Sequence, residues 1–494
     1  MKPQSTFTTL HKIILIVLFM VAIGIRMYDF DDPPLDFHPA RQLHSALMAR
    51  GFYLDTGGNL PRKTAEYMHE AMMRGMQEPW IEPPIMERIT AYAYQLAGDA
   101  DLRIPRGIAI FFWILGGVGL AFLAAGSFSS TGVIALCAFY LFFPYNVIAS
   151  RSFQPEPLML CLIIWGLYAL VSWLDRPGFW RALLAGVLIG LAILVKQVAV
   201  FPLALAGFAM IISQKSFRSV LKRPDFWIFI ALVIIPVAAY NIWGIWGAGF
   251  LRQQFQGRFF LAELINPAFY IRWIRMIDQV FAVAFFILTM LGLLVVKNSK
   301  LRAICLGYMG GYLLYGLVLP HHIGTHDYYQ LLIMPVVAIG FGSMIDAIYE
   351  RLKTPGWLPG ILLAGLCGWW LADSVITMNR QDYRAWPERW QTLTPMLEPY
   401  SGQINTIGIM EDYGAGMIYW GLKTPMIWDT PVEALPASEA DQRIRSAMIN
   451  REYLMVTDLS RFYTQVKLQR WLNENAELVS SEPDYLIYRM DLNE

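Results

Sequence analysis

Long apolar runs fill most of the 494-residue chain, and short polar segments separate them. A helix needs about 20 mostly apolar residues to cross the hydrocarbon core of a bilayer. The pattern therefore predicts eleven membrane-spanning helices. They are predicted at 12–27, 104–125, 131–149, 155–174, 180–195, 197–213, 226–247, 278–296, 303–320, 328–348 and 357–375.

Two long polar regions interrupt this pattern. The first, 28–103, is a loop whose segment 41–54 has the apolar spacing of an amphipathic helix lying at the membrane interface. The second, 376–494, contains short strand-like runs at Ile404–Ile409, Tyr453–Val456 and Tyr485–Tyr488, with helical patterns at 437–450 and 461–474. We predict a polytopic α-helical membrane domain at 1–375 and a small α/β domain at 376–494.

Charge placement predicts the orientation of the chain in the membrane. The first apolar run, Ile13–Ile25, follows Lys2 and Lys12 and has no cleavage site of small residues after it, so we expect an uncleaved first span. Basic residues concentrate in loops that face the cytoplasm, which puts the N-terminus inside and the C-terminal domain outside. The loop 248–277 is an exception on the outer side, since it contains four arginines, including Arg258, and a role in phosphate binding would explain them.

Composition narrows the function classes. Hydrophobic residues make up 56% of the chain and charged residues only 16%, against about 25% charged in soluble domains. The net charge of +1 argues against a nucleic-acid partner. The four cysteines lie inside apolar runs without disulfide or metal spacing and are expected to be core residues. They are Cys137, Cys161, Cys305 and Cys367.

A carboxylate, an imidazole and a guanidinium follow closely after the first predicted span. Asp36, His38 and Arg41 lie in the sequence Asp36-Phe37-His38-Pro39-Ala40-Arg41. A carboxylate there can accept a proton from a hydroxyl group. The planar fork of Arg41 suits phosphate oxygens, and His38 can position either partner. The three residues predict a site for an anionic, lipid-linked substrate.

Further polar residues are candidates for binding the substrate or its phosphate, and each has a structural alternative. Glu82 precedes two prolines that by themselves explain a rigid turn. Arg151 and Glu156 flank a predicted helix start, where the helix dipole alone would favour an acidic residue. Lys196 separates two short apolar runs and either extends to the lipid boundary or binds a phosphate in an outer cavity.

Three histidines gather in the predicted outer segment 321–330. His322, His326 and Asp327 are residue types that bind metal ions, and Tyr329 follows them. Their spacing matches no standard zinc motif, so a role as helper for a phosphate or a divalent cation is favoured over a dedicated zinc site.

The order of these elements resembles the GT-C glycosyltransferases, in the branch of protein O-mannosyltransferases and bacterial lipid A aminoarabinose transferases. The resemblance covers 12–350 and implies a catalytic carboxylate in the first outer loop, at the position of Asp36. Phe37 replaces the acidic residue that often follows. Three further residues and one segment resemble other motif positions of the family. They are Glu82, Glu156, Lys196, and the His326-Asp327-Tyr328-Tyr329 segment.

The resemblance implies an inverting transferase on the outer side of a bacterial inner membrane. Its partners would be a polyprenyl-phosphate sugar, the bilayer, and a lipid, glycan or protein acceptor, with a divalent cation left open as cofactor. A lipid-linked glycan polymerase or ligase is an alternative, although the late outer loop is short. A transporter or flippase is the non-enzyme alternative, although no internal repeat is seen.

Overall fold

The computed structural model describes residues 7–58, 81–213, 217–252, 260–352, 357–397, 406–423, 425–430 and 432–490. The chain forms two compact units. The helical unit consists of Met1–Phe30, Pro79–Ile89 and Arg103–Arg380. The mixed unit consists of Asp31–Glu78, Thr90–Leu102 and Gln381–Glu494.

Most of the described chain is helical. The helices, in chain order, are α1 (Thr9–Met27), α2 (Pro39–Asp55), α3 (Ile85–Ala97), α4 (Arg103–Ala125), α5 (Ser130–Phe142), α6 (Pro144–Ala149), α7 (Glu156–Asp175), α8 (Phe179–Val195), α9 (Val200–Ile212), α10 (Phe217–Leu221), α11 (Pro224–Ile242), α12 (Pro267–Phe281), α13 (Val283–Leu294), α14 (Ser299–Val318), α15 (Pro320–Thr325), α16 (Met334–Leu352), α17 (Leu358–Arg380), α18 (Trp386–Leu397), α19 (Ala415–Tyr419), α20 (Ala437–Met448), α21 (Leu459–Tyr463) and α22 (Val466–Asn475). Short 3₁₀ segments occur at Gln197–Ala199, Leu261–Ile265, Asp327–Ile333 and Glu411–Gly414, and a π-helical turn at Trp243–Gly247.

Among the described residues, seven helices are long and apolar enough to cross a membrane. The bent pair α12–α13 and three shorter apolar helices, Ser130–Phe142, Phe179–Val195 and Gln197–Ile212, add to them. Each of the eleven predicted segments coincides with one of these apolar helices or with an arm of the bent pair. The polytopic helical fold is therefore confirmed, whereas the number of spans stays a prediction.

Two predicted spans differ in shape from the helices found. The segment 131–149 breaks after α5, because Pro144 cannot continue the helix and instead begins α6. The segment 278–296 contains an 85° bend between α12 and α13. Ala282 has a left-handed φ of 56° at the bend, and the Val283 amide donates to Asp278 Oδ1 at 2.9 Å.

Small residues allow close helix packing within the helical unit. Gly292 of α13 and Gly340 of α16 face each other, and an added Cβ on either would collide with a backbone oxygen of the opposite helix. Gly311 of α14 approaches the backbone of α9 in the same way. Such contacts are common between membrane helices. Lipid tails are as apolar as the side chains, so no hydrophobic driving force brings the helices together, and close packing stabilises their association instead. All four cysteines are buried and free, as expected from the sequence.

The mixed unit contains one five-stranded sheet with the order β2-β1-β3-β5-β4. Its strands are β1 (Thr406–Ile409), β2 (Met426–Ile427), β3 (Tyr453–Val456), β4 (Ala476–Glu482) and β5 (Tyr485–Met490). Strand β1 is parallel to β2 and to β3, and β5 is antiparallel to β3 and to β4. The sheet buries Leu454, Val456 and Trp428 in one apolar core and Met455 and Trp390 in another.

The sequence located the small α/β domain but missed two strands. The three predicted strand runs coincide with β1, β3 and β5 where the chain is described. Strand β2 has only two residues, and the polar strand β4 has no apolar run. Neither could therefore be predicted from the pattern of apolar residues. The predicted helix 461–474 divides into α21 and α22.

The division into units differs from the predicted boundary between 1–375 and 376–494. The described residues 31–58 and 90–102 of the first loop belong to the mixed unit, where α2 packs against α19. Arg50 of α2 donates to the Tyr419 carbonyl at 3.2 Å and lies 3.7 Å from the Tyr419 ring centroid. The predicted amphipathic helix at 41–54 therefore exists, and its buried face includes Leu43, Ala46 and Phe52.

We expect Gly340→Ala to destabilise the helical unit, because the new methyl group would collide with the backbone of α13. The cost of overpacking a tight contact is about 1–3 kcal/mol. Thermal unfolding of the purified protein in detergent should show a lower midpoint. Gly365→Ala is the matched control, since a Cβ at this position of α17 meets nothing within 4 Å. Equal midpoints for both variants would contradict the close approach.

Candidate functional site

Glu156 and Lys196 form a buried ion pair in the helical unit. Glu156 occupies the first turn of α7, where Pro155 and Pro157 fix the helix start and the dipole favours a negative charge. Lys196 follows the last residue of α8, and its extended backbone separates α8 from the 3₁₀ turn before α9. Side-chain exposure is only 1% for Glu156 and 8% for Lys196. The lysine therefore points into the protein rather than out to the lipid boundary.

Two tyrosines lie close to the Lys196 ammonium group. Lys196 Nζ is 5.2 Å from the Tyr328 ring centroid and 5.4 Å from that of Tyr329, within the range of cation–π attraction. His326 packs against both rings, at 5.2 and 6.0 Å between centroids. Gln330 fixes this segment, because its Nε2 donates to the Ile323 carbonyl at 3.1 Å.

Glu82 belongs to the same neighbourhood. Gln197, next to Lys196, donates from Nε2 to the Ile81 carbonyl at 3.1 Å. The Glu82 carboxylate also interacts electrostatically with Tyr240 and Tyr315. The Tyr315 ring lies 6.3 Å from the Tyr329 ring. We refer to Glu82, Glu156, Lys196, Tyr328 and Tyr329 as the Lys196 cluster.

Metal binding finds no support in the described part of the chain. No group of three or more His, Cys, Asp or Glu side chains is arranged there to hold a metal ion. His322 contacts the Tyr329 ring at 5.6 Å, and His326 contacts Thr325 Oγ1 through Nδ1 at 2.9 Å. His322, His326 and Asp327 are thus not brought together as a ligand set.

Arg151 lies among backbone groups of the helical unit. Its Nη2 donates to the Asp29 carbonyl at 2.7 Å, and its Nη1 contacts Met378 Sδ. Arg106 donates to the Asp29 and Phe30 carbonyls at 3.2 and 2.9 Å. These two buried guanidinium groups hold the chain where it leaves α1. The predicted role of Arg151 in substrate binding stays a prediction, and Arg258 lies outside the described residues.

In the mixed unit, the predicted Asp36, His38 and Arg41 lie at the start of α2. His38 immediately precedes the helix and has a left-handed backbone, with φ 50° and ψ 69°. The Gln42 side chain donates to the Phe37 carbonyl at 2.7 Å, and the Phe37 ring meets the His38 ring edge-on at 4.7 Å. The Arg41 amide donates to the His38 carbonyl at 3.0 Å. Such backbone strain persists where surrounding contacts hold it, and it clusters at functional sites.

Tyr383 and Asp412 were not predicted from the sequence, and both interact electrostatically with the segment Asp36–Arg41. The Tyr383 amide donates to Asp32 Oδ1 at 2.9 Å. Burial raises the pKa of the Tyr383 hydroxyl, and the carboxylates of Asp36, Asp412 and Asp32 raise it further. Tyr383 is therefore within electrostatic range of the predicted catalytic carboxylate.

Asp412 is the second such residue. Burial raises the pKa of its carboxyl group, Glu411 and Asp458 raise it further, and His38 acts in the opposite direction. An acidic pair directly after a buried strand was the only sequence signal for it. That signal is weak for two reasons. Asp is common in turns, and acidic segments are usually solvated.

Comparisons with known proteins agree with these features. Residues 81–243 match the family model described as dolichyl-phosphate-mannose-protein mannosyltransferase. This range contains Glu82, Glu156 and Lys196. No curated protein sequence matches the chain.

Solved structures give the fold. The chain is similar to ArnT from Cupriavidus metallidurans bound to undecaprenyl phosphate, with TM-score 0.58 and 11% identity over 96% of this chain and 97% of that one. It is also similar to the archaeal oligosaccharyltransferase AglB from Archaeoglobus fulgidus, with TM-score 0.56 and 11% identity over 97% and 74%. The mycobacterial arabinofuranosyltransferase AftD matches with TM-score 0.51 and 14% identity over 99% and 42%.

The chain is a multi-pass membrane protein with the fold of the GT-C glycosyltransferases, and its match to the mannosyltransferase family model covers residues 81–243. The resemblance seen in the sequence and the predicted enzyme class are both confirmed.

We expect substitutions of Glu156 and Lys196 to have strongly coupled effects on the free energy of unfolding. Removing one partner leaves a buried charge without its counter-ion, at a cost of about 3–5 kcal/mol. Glu156→Leu and Lys196→Met should each lower the thermal unfolding midpoint. The double variant should be less destabilised than the sum of the two singles, since it leaves neither charge. Additive effects in this double-mutant cycle would argue against the ion pair.

Proposed function

We propose that this protein transfers a sugar from a polyprenyl-phosphate donor to an acceptor hydroxyl, with inversion at the anomeric carbon. The observation that carries the proposal is the Lys196 cluster, whose charged members all lie in the range matched by the mannosyltransferase family model. ArnT and AglB, which share the fold, have been solved with undecaprenyl phosphate and with a dolichol-phosphate.

In the proposed reaction, Asp36 accepts the proton of the acceptor hydroxyl. The acceptor oxygen then attacks the anomeric carbon from the side opposite the phosphate. The bond between the anomeric carbon and the phosphate oxygen breaks, and its electron pair leaves with the polyprenyl phosphate. Attack from the opposite side inverts the configuration.

Cationic side chains are proposed to stabilise the leaving phosphate. Lys196 and Arg41 carry this role, with Arg258 of the outer loop as a third cation. A well-placed donor to developing negative charge contributes about 3–4 kcal/mol to transition-state stabilisation. Glu156 keeps Lys196 charged and oriented in its buried position. Glu82, His326 and Tyr329 are proposed to orient the sugar or the acceptor, because carboxylates and ring edges suit sugar hydroxyls.

Asp36→Asn should remove transfer activity while leaving the fold intact. A general base contributes about 10²–10⁴-fold to a rate, so kcat should fall by that factor. The measurement is transfer from labelled polyprenyl-phosphate sugars in proteoliposomes that contain membrane extract as the acceptor source. Binding of the lipid donor should change little, because the amide has the same shape.

Asp31→Asn is the matched control for this experiment. Asp31 lies five positions earlier in the same loop, and its side chain is 72% exposed. Asp31 lies 3.9 Å from Arg384 in an exposed ion pair, so the change should leave turnover near that of the unmodified protein. Normal turnover of a well-folded Asp36→Asn protein would exclude Asp36 as the base.

We further propose that the protein lies in a bacterial inner membrane, with its N-terminus in the cytoplasm and the mixed unit outside. The basic loops support this orientation. They contain Arg176, Arg181, Lys215, Arg218, Lys222, Arg223, Lys297, Lys300, Arg302, Arg351 and Lys353. Clustered Lys and Arg residues in short loops stay on the cytoplasmic side during insertion.

Reporter fusions test the orientation. Alkaline phosphatase is active only outside the cytoplasm, so a fusion after the last residue should be active. A fusion within the basic loop 213–224 should be inactive, because that loop is expected inside. The reverse pattern would overturn the orientation.

A further inference from the structure

Helix α12 turns by 85° from the direction of α13 and packs against α15 in the helical unit. Its Trp273 donates from Nε1 to the Tyr312 hydroxyl of α14 at 3.0 Å. An added Cβ on Gly316 would collide with the same indole ring, so α12 lies against the last turns of α14. A helix that turns aside at the end of membrane-spanning helices is placed to lie along the membrane surface rather than across the bilayer.

Hydrogen bonds fix α12 to the 3₁₀ segment Asp327–Ile333, which contains the two tyrosines of the Lys196 cluster. The Tyr312 hydroxyl accepts the hydrogen bond from Trp273 and donates in turn to Gln330 Oε1. Gln330 lies within the 3₁₀ segment, against which α12 also packs. Helix α12 is therefore at the same end of the helical unit as the Lys196 cluster.

Two faces of α12 are apolar but have different surroundings. One face is buried in the protein and contains Phe269, Trp273 and Val280. The other is exposed, with Ile271 59% and Ile274 54% accessible. Exposed isoleucines at the end of a membrane-spanning unit suit contact with lipid, and an amphipathic helix at the interface buries such a face among the acyl chains.

A third face of α12 is polar and contains Arg272, Arg275 and Gln279. Successive residues of an α-helix are about 100° apart around its axis, which places these three positions between the buried face and the exposed apolar face. Helix α12 thus presents one side to the protein, one side to lipid and one basic side to the headgroup layer. This arrangement is expected for a helix in the plane of the membrane surface.

The acidic residues beside these arginines already have partners in the protein. Glu263 pairs with Arg272, and Asp278 Oδ1 accepts a hydrogen bond from the Val283 amide at 2.9 Å. The Arg275 side chain is exposed on the polar face. An exposed guanidinium group near a membrane surface attracts anionic lipids and can donate to their phosphate oxygens.

We infer that α12 is a membrane-surface helix that binds the headgroups of anionic phospholipids through Arg275, with Arg272 in support. The partner is the phospholipid of the surrounding bilayer, because Arg275 is exposed to it. Lys196, by contrast, is buried and suits a single bound phosphate. The inference therefore does not depend on the proposed transfer reaction.

Photocrosslinking tests the inference without any transfer activity. In the full-length protein, the exposed Ile274 is replaced by p-benzoylphenylalanine, which inserts into nearby C–H bonds on irradiation. The protein is placed in vesicles of phosphatidylglycerol and phosphatidylcholine in equal amounts and with the same acyl chains. Mass spectrometry of the crosslinked lipids should show an excess of phosphatidylglycerol over its bulk share. The same replacement of Gln279, on the polar face, should give fewer lipid crosslinks.

Arg275→Gln should lower the excess of phosphatidylglycerol at position 274 by about fivefold, the attraction of one basic residue near an anionic surface. Arg275→Lys should retain the excess, because a mobile headgroup requires the charge rather than the guanidinium fork. Arg181→Gln is the matched control and should change nothing. Arg181 is also exposed, but it lies near the start of α8, one helix length away from Lys196.

Ionic strength gives a second readout that needs no variant of Arg275. The Debye length falls from about 10 Å at about 0.1 M salt to about 3 Å at about 1 M. An exposed contact with headgroups should therefore weaken strongly, and the excess of phosphatidylglycerol should largely disappear at the higher salt concentration. A phosphate enclosed in the protein would be screened much less.

Three results would overturn the inference. Absence of lipid crosslinks at position 274 would show that α12 does not lie at the membrane surface. A bulk share of phosphatidylglycerol in the unmodified background, or an excess that Arg275→Gln leaves unchanged, would exclude Arg275 as the headgroup contact. An excess that persists at high salt would assign the arginines to an enclosed phosphate instead of the bilayer.

Discussion

The requirement that buried polar groups find partners inside the protein governs the helical unit. The hydrocarbon core offers no water, so each unmet donor or acceptor costs several kcal/mol. Lys196 and Glu156 meet this requirement with each other, where α8 ends and α7 begins. Arg106 and Arg151 meet it with carbonyl groups after α1. The breaks in the helices are therefore places where buried charge is tolerated.

The apolar pattern predicted the helical unit well, because a lipid-facing helix must be apolar over its whole length. Local breaks were harder to predict. Pro144 signalled one of them, but the bend at Ala282 depends on a capping contact from Asp278 that only the folded chain shows. Strand β4 was missed for a related reason. Its side chains are half-buried or exposed, so no apolar alternation marks it.

Part of the candidate site was visible in the sequence. Glu82 and Glu156 stood out beside prolines, and Lys196 stood out between two apolar runs. The structure gathers them with Tyr328 and Tyr329. Asp412 and Tyr383 could not be selected, since acidic and aromatic residues are ordinary in a polar domain. Their association with the segment around Asp36 arises from long-range packing of α2, which leaves no local signal in the chain.

The burial of every thiol has a practical consequence. Cys137, Cys161, Cys305 and Cys367 are each at most 8% exposed, so a bulky water-soluble maleimide meets no native cysteine at the surface of the folded protein. A cysteine introduced at an exposed position can therefore carry a spin label or a fluorophore without prior replacement of the native four. Spectroscopic probes can follow the mixed unit during a reaction cycle in a protein that keeps its original core.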